Sequence, residues 1–146
     1  MEIARGKELA QAEETGTDVP VVDERGNVQK QEDGTPHTIT VVGSLSKRYQ
    51  TIKAKNRGRA LNGATAKTLT DEEAGQQSFD QQTESVAECV VRWTPGAFTE
   101  NGQPLEPSGA NAIKVFRAFP WMQGKCETAM DDHARFFGAS SNGSNG

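Results

Sequence analysis

Apolar residues are sparse along this chain and gather into a few periodic stretches, the clearest of them downstream of Phe79. In "TDEEAGQQSFDQQTESVAECVVRW", Phe79, Gln82/Thr83, Val86, Cys89/Val90 and Trp93 recur every three or four positions. That spacing predicts one amphipathic helix. Thr70 and Glu73 have the spacing of a capping box at its start, and Thr94-Pro95-Gly96 ends it because proline lacks the backbone donor. A second helix is capped by Ser108 and turns Ala112, Ile113, Phe116 and Phe119 inward. Pro120 stops that helix, and its fixed φ suits the first turn of the next. The last helix is predicted from about Trp121 to Phe137, with Met122, Cys126, Ala129/Met130, His133 and Phe136/Phe137 buried and Gly138 as its C-terminal glycine. Three helices would thus close one core.

Upstream the pattern changes period. "HTITVVGS", His37 to Ser44, alternates and is β-branched, which predicts a strand ending at Gly43. Leu45, Arg48/Tyr49 and Ile52 then fall at helical spacing, predicting a helix over 45–57 with Ser44 or Ser46 as its cap and Gly58 weakening its end. Asn101-Gly102 signals a tight hairpin between two very short strands. Before residue 34 only Val19–Val22 is apolar, followed by the turn-like "DERGN". Residues 1–33 therefore read as an N-terminal arm, either with a small hairpin or extended until a partner orders it. The expected organisation is that arm, a single compact domain over 34–138, and a flexible Gly/Ser/Asn tail over 139–146. The fold class is mainly α (α+β), a three- to four-helix core with a short N-terminal strand or hairpin. Removal of the arm is expected to leave the stability of the core nearly unchanged.

At 146 residues with 34% hydrophobic side chains, one domain is the expectation. No run approaches the roughly 20 apolar residues that cross a bilayer. The first residues, "MEIARGKELAQAEETG", lack the apolar core of a signal peptide, so a cytoplasmic protein is expected, with no membrane partner. Cys89 and Cys126 are the only cysteines; both sit in helical apolar patterns and read as small core residues, not as a zinc site or disulfide framework. The net charge of -4 hides an asymmetry. Lys47, Arg48, Lys53, Lys55, Arg57, Arg59 and Lys67 lie in an acid-free stretch from Gly34 to Thr70, leaving nine basic against twenty acidic residues elsewhere. Such a stretch reads either as a solvated basic face or as a surface for self-association or an acidic partner.

No dinucleotide, P-loop, zincin or paired-cysteine motif is present, and no catalytic, cofactor or metal residue is assigned. Asp131, Asp132 and His133 are adjacent, but neighbours on a helix do not face one site, so His133 reads as a core-edge histidine and the aspartates as a solvated face. Nucleic-acid binding by the basic stretch is disfavoured because Tyr49 is its only aromatic residue and the chain is acidic overall. Aromatic residues are natural anchors for a protein partner. Of these, Trp93, Phe116 and Phe119 read as core, and Phe98, outside the helices, is the better surface candidate. The partner-binding candidates are Lys47, Arg48, Tyr49, Lys53, Lys55, Arg57, Arg59, Phe98 and Trp121.

The order of these motifs resembles the small tail assembly chaperones of tailed bacteriophages. A strand ending in Gly43-Ser44 precedes Leu-Ser-Lys-Arg-Tyr and a basic helix. Val90 and Trp93, Gly102 with Pro104-Leu105, Ser108 with Asn111-Ala112, Pro120-Trp121, and Asp132 with Phe136 follow in the family's order. The likeness covers about residues 37–137. Ser44-Leu45 departs from the Asp-Ser pair frequent in the family, and a 33-residue arm is not part of its pattern. The resemblance implies a non-enzymatic protein that binds apolar helices of the tape measure protein, or the tail tube, in the host cytoplasm during assembly. The alternative is a structural virion component, its arm linking neighbouring capsid, neck or tail subunits; either role is compatible with homo-oligomers.

Overall fold

The computed structural model of the chain describes residues 1–66 and 70–136, with the backbone alone over 59–66. The chain is mainly helical with a small antiparallel sheet. In order, its elements are α1 (Ile3–Thr15), β1 (Thr17–Pro20), β2 (Thr38–Val41), α2 (Lys47–Ala66), α3 (Asp71–Glu88), β3 (Val90–Trp93), β4 (Thr99–Glu100), β5 (Gln103–Pro104), α4 (Gly109–Ala118) and α5 (Pro120–Asp131).

The β-branched run Thr38–Val41 forms the middle strand of a three-stranded sheet, paired antiparallel with β1 on one side and β3 on the other. Ile39 stands opposite Val19 in one neighbour and Trp93 in the other, with a register shift between Thr40 and Val41 on the β3 side. This corrects the helix expected to run to Trp93: it ends at Glu88 and the chain becomes strand at Val90. The spacing of Cys89, Val90 and Trp93 suits a helix, but β2 needs a partner on its second edge, and a β-branched pair supplies one. Trp93 is thereby buried, its indole Nε1 donating to the carbonyl of Leu105 at 3.0 Å.

Helices α3, α4 and α5 complete the core. Thr70 and Ser108 cap as their side chains predict, accepting the N–H groups of Glu73 and Asn111 at 3.1 Å each. Ala112, Val115 and Phe116 of α4 and Met122, Cys126, Ala129 and Met130 of α5 are buried. Two aromatic residues expected inside are not. Phe119, at the α4–α5 junction, is 38% exposed, and Phe79 is 55% exposed because the first turns of α3 bury nothing until Thr83. Asn101 and Gly102 both take positive φ, 52° and 79°, in the turn that joins β4 to β5. Helix α2 passes through Gly58 to Ala66, well beyond the expected end, and Leu45 just before it is exposed. Ser46 accepts the N–H of Tyr49 and so caps α2. The expected buried Phe137, the Gly138 cap and the tail over 139–146 lie outside the described residues.

The division into an arm and a separate domain is not what the chain adopts. β1 is an edge of the sheet, and Val19, Val21 and Val22 belong to the hydrophobic core. Thr40, buried in β2, donates its hydroxyl to Asp18. Arg135, from the other end of the chain, donates to the Thr17 hydroxyl and the Asp18 carbonyl. The reason is again pairing: one edge of β2 goes to β3, and the other needs the only apolar run available upstream. A small hairpin does follow. Val22 bridges Val28, and the N–H groups of Arg25 and Asn27 both donate to Asp23 Oδ1 at 2.9 Å, which holds the Asp23 carboxyl below its ordinary range, chiefly through the Asn27 bond.

Candidate functional site

Helix α2 offers little apolar surface to the core, and Ile52 is its buried anchor among the described side chains. Its flank opens instead onto a cleft of about 450 Å³ walled by α2, α3 and α5. Tyr49, Lys53 and Arg57 line it from α2 at four-residue spacing, which stacks them on one helical face. Ser78, Gln81 and Ser85 face them from α3, and Glu127 and Asp131 from α5. Ile52, Val86 and Met130 lie beneath, already buried in the core. Asn56 and Ser85 hydrogen-bond across the α2–α3 wall.

The two charged walls differ in how they are held. Glu127 Oε1 accepts the side-chain amides of Gln123 at 3.0 Å and Gln82 at 3.3 Å, and the Gln123 carbonyl accepts the buried Thr83 hydroxyl at 2.8 Å. That network fixes Glu127 between α5 and α3. Lys53 and Arg57 are exposed and have no hydrogen-bond or ion-pair partner among the described residues. Tyr49 sits nearer the acidic end: burial first, then the charge of Asp131, pushes its hydroxyl above the ordinary phenol value.

Of the other residues singled out in the sequence, Lys47 and Arg48 border a second, shallower hollow of about 480 Å³ together with Glu14 and Glu88. The Lys47 N–H donates to Glu14 Oε2 at 2.7 Å. Lys55 is exposed but lines neither hollow, and the Arg59 side chain lies outside the described residues. Phe98 is not the surface contact expected of it. The turn over residues 94–97 folds it back, and it is buried edge-on against Trp93 with ring centroids 5.2 Å apart. Phe119 stacks on Phe98 at 6.2 Å, and Trp121 packs on Phe119 at 5.5 Å while its Nε1 donates to the Val22 carbonyl at 2.9 Å. None of these rings lines the cleft, so Phe98 and Trp121 do not join Tyr49, Lys53 and Arg57 in one site.

Sequence reasoning missed Glu13 altogether. Its side chain is fully buried; Oε1 accepts the N–H of Leu45 at 2.9 Å and Oε2 pairs with His133 Nδ1 at 2.8 Å. A buried carboxylate on a polar helix carries no periodic signal, and Gly43, which yields the space for it, was legible only as the end of a strand. Asp131 and Asp132 are exposed as expected. Among the described residues, no group of three or more His, Cys, Asp or Glu side chains could hold a metal ion. No described helix is long and apolar enough to cross a membrane. No protein-family model, curated protein or solved structure matches the chain.

Proposed function

We propose that this chain is a non-enzymatic morphogenesis protein of a tailed bacteriophage, similar to the tail assembly chaperones, that holds a segment of another tail protein in the α2–α3–α5 cleft. The observation that carries this reading is the unmatched polar surface of the cleft: Lys53 and Arg57, on its α2 wall, have no partner among the described residues. Cations left unpaired beside an ordered amide and carboxylate wall suit a second polypeptide. A cleft of this size buries little area, so affinity is modest and reversible, as delivery requires. The partner is the tape measure or tail tube protein, met in the host cytoplasm.

The alternative, a virion component whose N-terminal arm laces subunits together, has less support. Residues 17–22 are committed to the sheet and core and are not free to reach a neighbour. The reading is tested by co-expressing the chain with the tape measure and tail tube proteins of the same phage, then capturing complexes and cross-linking through residues placed at 53 and 57. Capture of either protein through the cleft, with the chain abundant in lysate and missing from purified virions, is the expected outcome. A fixed copy number in virions would replace it with the structural role.

A further inference from the structure

Charge on the α2–α3 hairpin is divided by helix. The sequence of α2, Lys47–Ala66, carries six basic residues and no acidic one, and that of α3, Asp71–Glu88, carries six acidic residues and no basic one. The two helices run antiparallel: Arg48 and Thr51 border the same shallow hollow as Ala87 and Glu88, and Asn56, further along α2, bonds to Ser85. Lys53 and Arg57 turn to the cleft, so Lys55, two residues from each, points about 160° away from them, on the side of Arg48 seven residues earlier. On α3, Glu73, Asp80, Glu84 and Glu88 recur at intervals of seven, four and four, and none of them lines the cleft. The second face of the hairpin thus presents a basic row beside an acidic one. Arg48, Lys55 and Glu73 are exposed, and neither Arg48 nor Lys55 forms an ion pair among the described residues.

We propose that this face docks a second copy of the same chain. A two-fold axis parallel to the helices lays α2 of each copy on α3 of the other, so that every basic row meets an acidic one. A two-fold axis across the helices would instead lay α2 on α2 and α3 on α3, like charge on like. Charge therefore selects the first arrangement, with both hairpin tips pointing the same way. In it Arg48 meets Glu88 of the second copy, and Lys55, level with Ser85, falls between Asp80 and Glu88 of that copy. Any other partner would have to bring both rows at the same separation, which a second copy does by symmetry. A face about 27 Å long and two helices wide hides on the order of 1,000 Å² in the pair, the lower end for a specific interface, so the dimer is weak and salt-sensitive. Lys53 and Arg57 stay in the cleft and take no part, so this proposal is independent of the assembly reading and either can fail alone.

Sedimentation velocity of the full chain over a concentration series tests this. At low ionic strength a monomer–dimer equilibrium with Kd on the order of 10–100 μM is expected, weakening at least about tenfold by roughly 0.5 M salt. R48E/K55E makes both rows acidic where they meet, and D80K/E88K makes both basic. Each variant alone, its fold checked by circular dichroism, is expected to stay monomeric. Mixed in equal amounts, the two are expected to form a heterodimer within about threefold of the native affinity, because every basic row again meets an acidic one. Where a double reversal fails to fold, Lys55→Glu alone, at an exposed position, takes its place and is expected to weaken the native dimer several-fold. A native chain that stays monomeric throughout, a dimer indifferent to salt or to the reversals, or a mixture of folded variants that does not associate would overturn the proposal.

Discussion

Glu13 Oε2 lies 2.8 Å from Nδ1 of His133, a pairing of two residues 120 positions apart in the chain. The carboxylate has no solvent access, whereas the imidazole side chain is 45% exposed. Glu13 also reaches the junction of β2 and α2, where its backbone carbonyl accepts the N–H of Gly43 at 2.8 Å and its Oε1 that of Leu45. Gly43 has no room for anything larger: a Cβ there would stand 2.1 Å from Glu13 Oε1. One acidic side chain thus ties the end of α1 to the sheet, to the start of α2 and to the segment that follows α5.

Glu13→Ala is expected to destabilise the fold by roughly 1–3 kcal/mol, because the part-buried N–H of Leu45 loses its carboxylate acceptor. Gly43→Ala is expected to cost a similar amount for a different reason, the forced displacement of the Glu13 side chain. The double variant should fall short of the sum, since shortening Glu13 removes two of the three close approaches and leaves only its Cβ, at 2.7 Å from the new methyl. Urea unfolding of the four proteins reads the coupling. Strict additivity would mean that the two side chains do not share the notch.

Truncation separates the part of the N-terminal segment that is core from the part that is not. Residues 1–8 are exposed, and their removal is expected to change stability by no more than about 0.5 kcal/mol, as for surface changes elsewhere. Removal of residues 1–33 takes away β1, Val19, Val21, Val22 and Glu13 together, and a cooperative thermal transition should be lost. A near-native transition in the longer truncation would restore the idea of an independent arm.

The helical half of this fold was legible because its signals are local. Ser108, Thr70 and Pro120 mark helix ends through chemistry within one turn, and Asn101-Gly102 dictates its own turn through positive φ. What failed was non-local. Val90 to Trp93 has a spacing compatible with a helix, and only the presence of Thr38–Val41 far upstream makes it a strand. The N-terminal segment looked dispensable for the same reason: its few valines are core only once β2 lies beside them. The basic row of α2 could be read as a surface, but the acidic wall that turns it into a cleft comes from α5, some 70 residues later.

Trp121 joins the aromatic row to the N-terminal segment, and its two contributions can be parted. Trp121→Phe keeps a ring against Phe119 but removes the donor to the Val22 carbonyl, an expected loss of about 1 kcal/mol. Trp121→Ala removes both. Full burial would put its cost at roughly 3–5 kcal/mol, and the partial exposure of the indole lowers the expectation to about 2–3 kcal/mol. Denaturation followed by circular dichroism measures both variants. Equal stability of the Phe variant and the native chain would show that the indole N–H is as well served by water.

The two thiols report on the interior directly. Burial pushes both Cys89 and Cys126 up from 9.0 to about 12, against smaller opposing effects of Arg48 and Arg135 respectively. Since the unfolded chain gives up these protons first, their contribution to stability is fully present below about 9 and is lost as pH rises from there toward about 12. Melting temperature should therefore fall through that window, and Cys89→Ala/Cys126→Ala, although less stable at neutral pH from the cavities it leaves, should show a shallower fall. A chromogenic disulfide reagent at mildly alkaline pH should find both thiols slow in the native chain and both fast in denaturant, because the reactive species is the thiolate. Rapid modification of either in the native chain would mean that the α3–α5 interior opens readily, and the packing argued for Met122, Cys126 and Val86 would have to be revised.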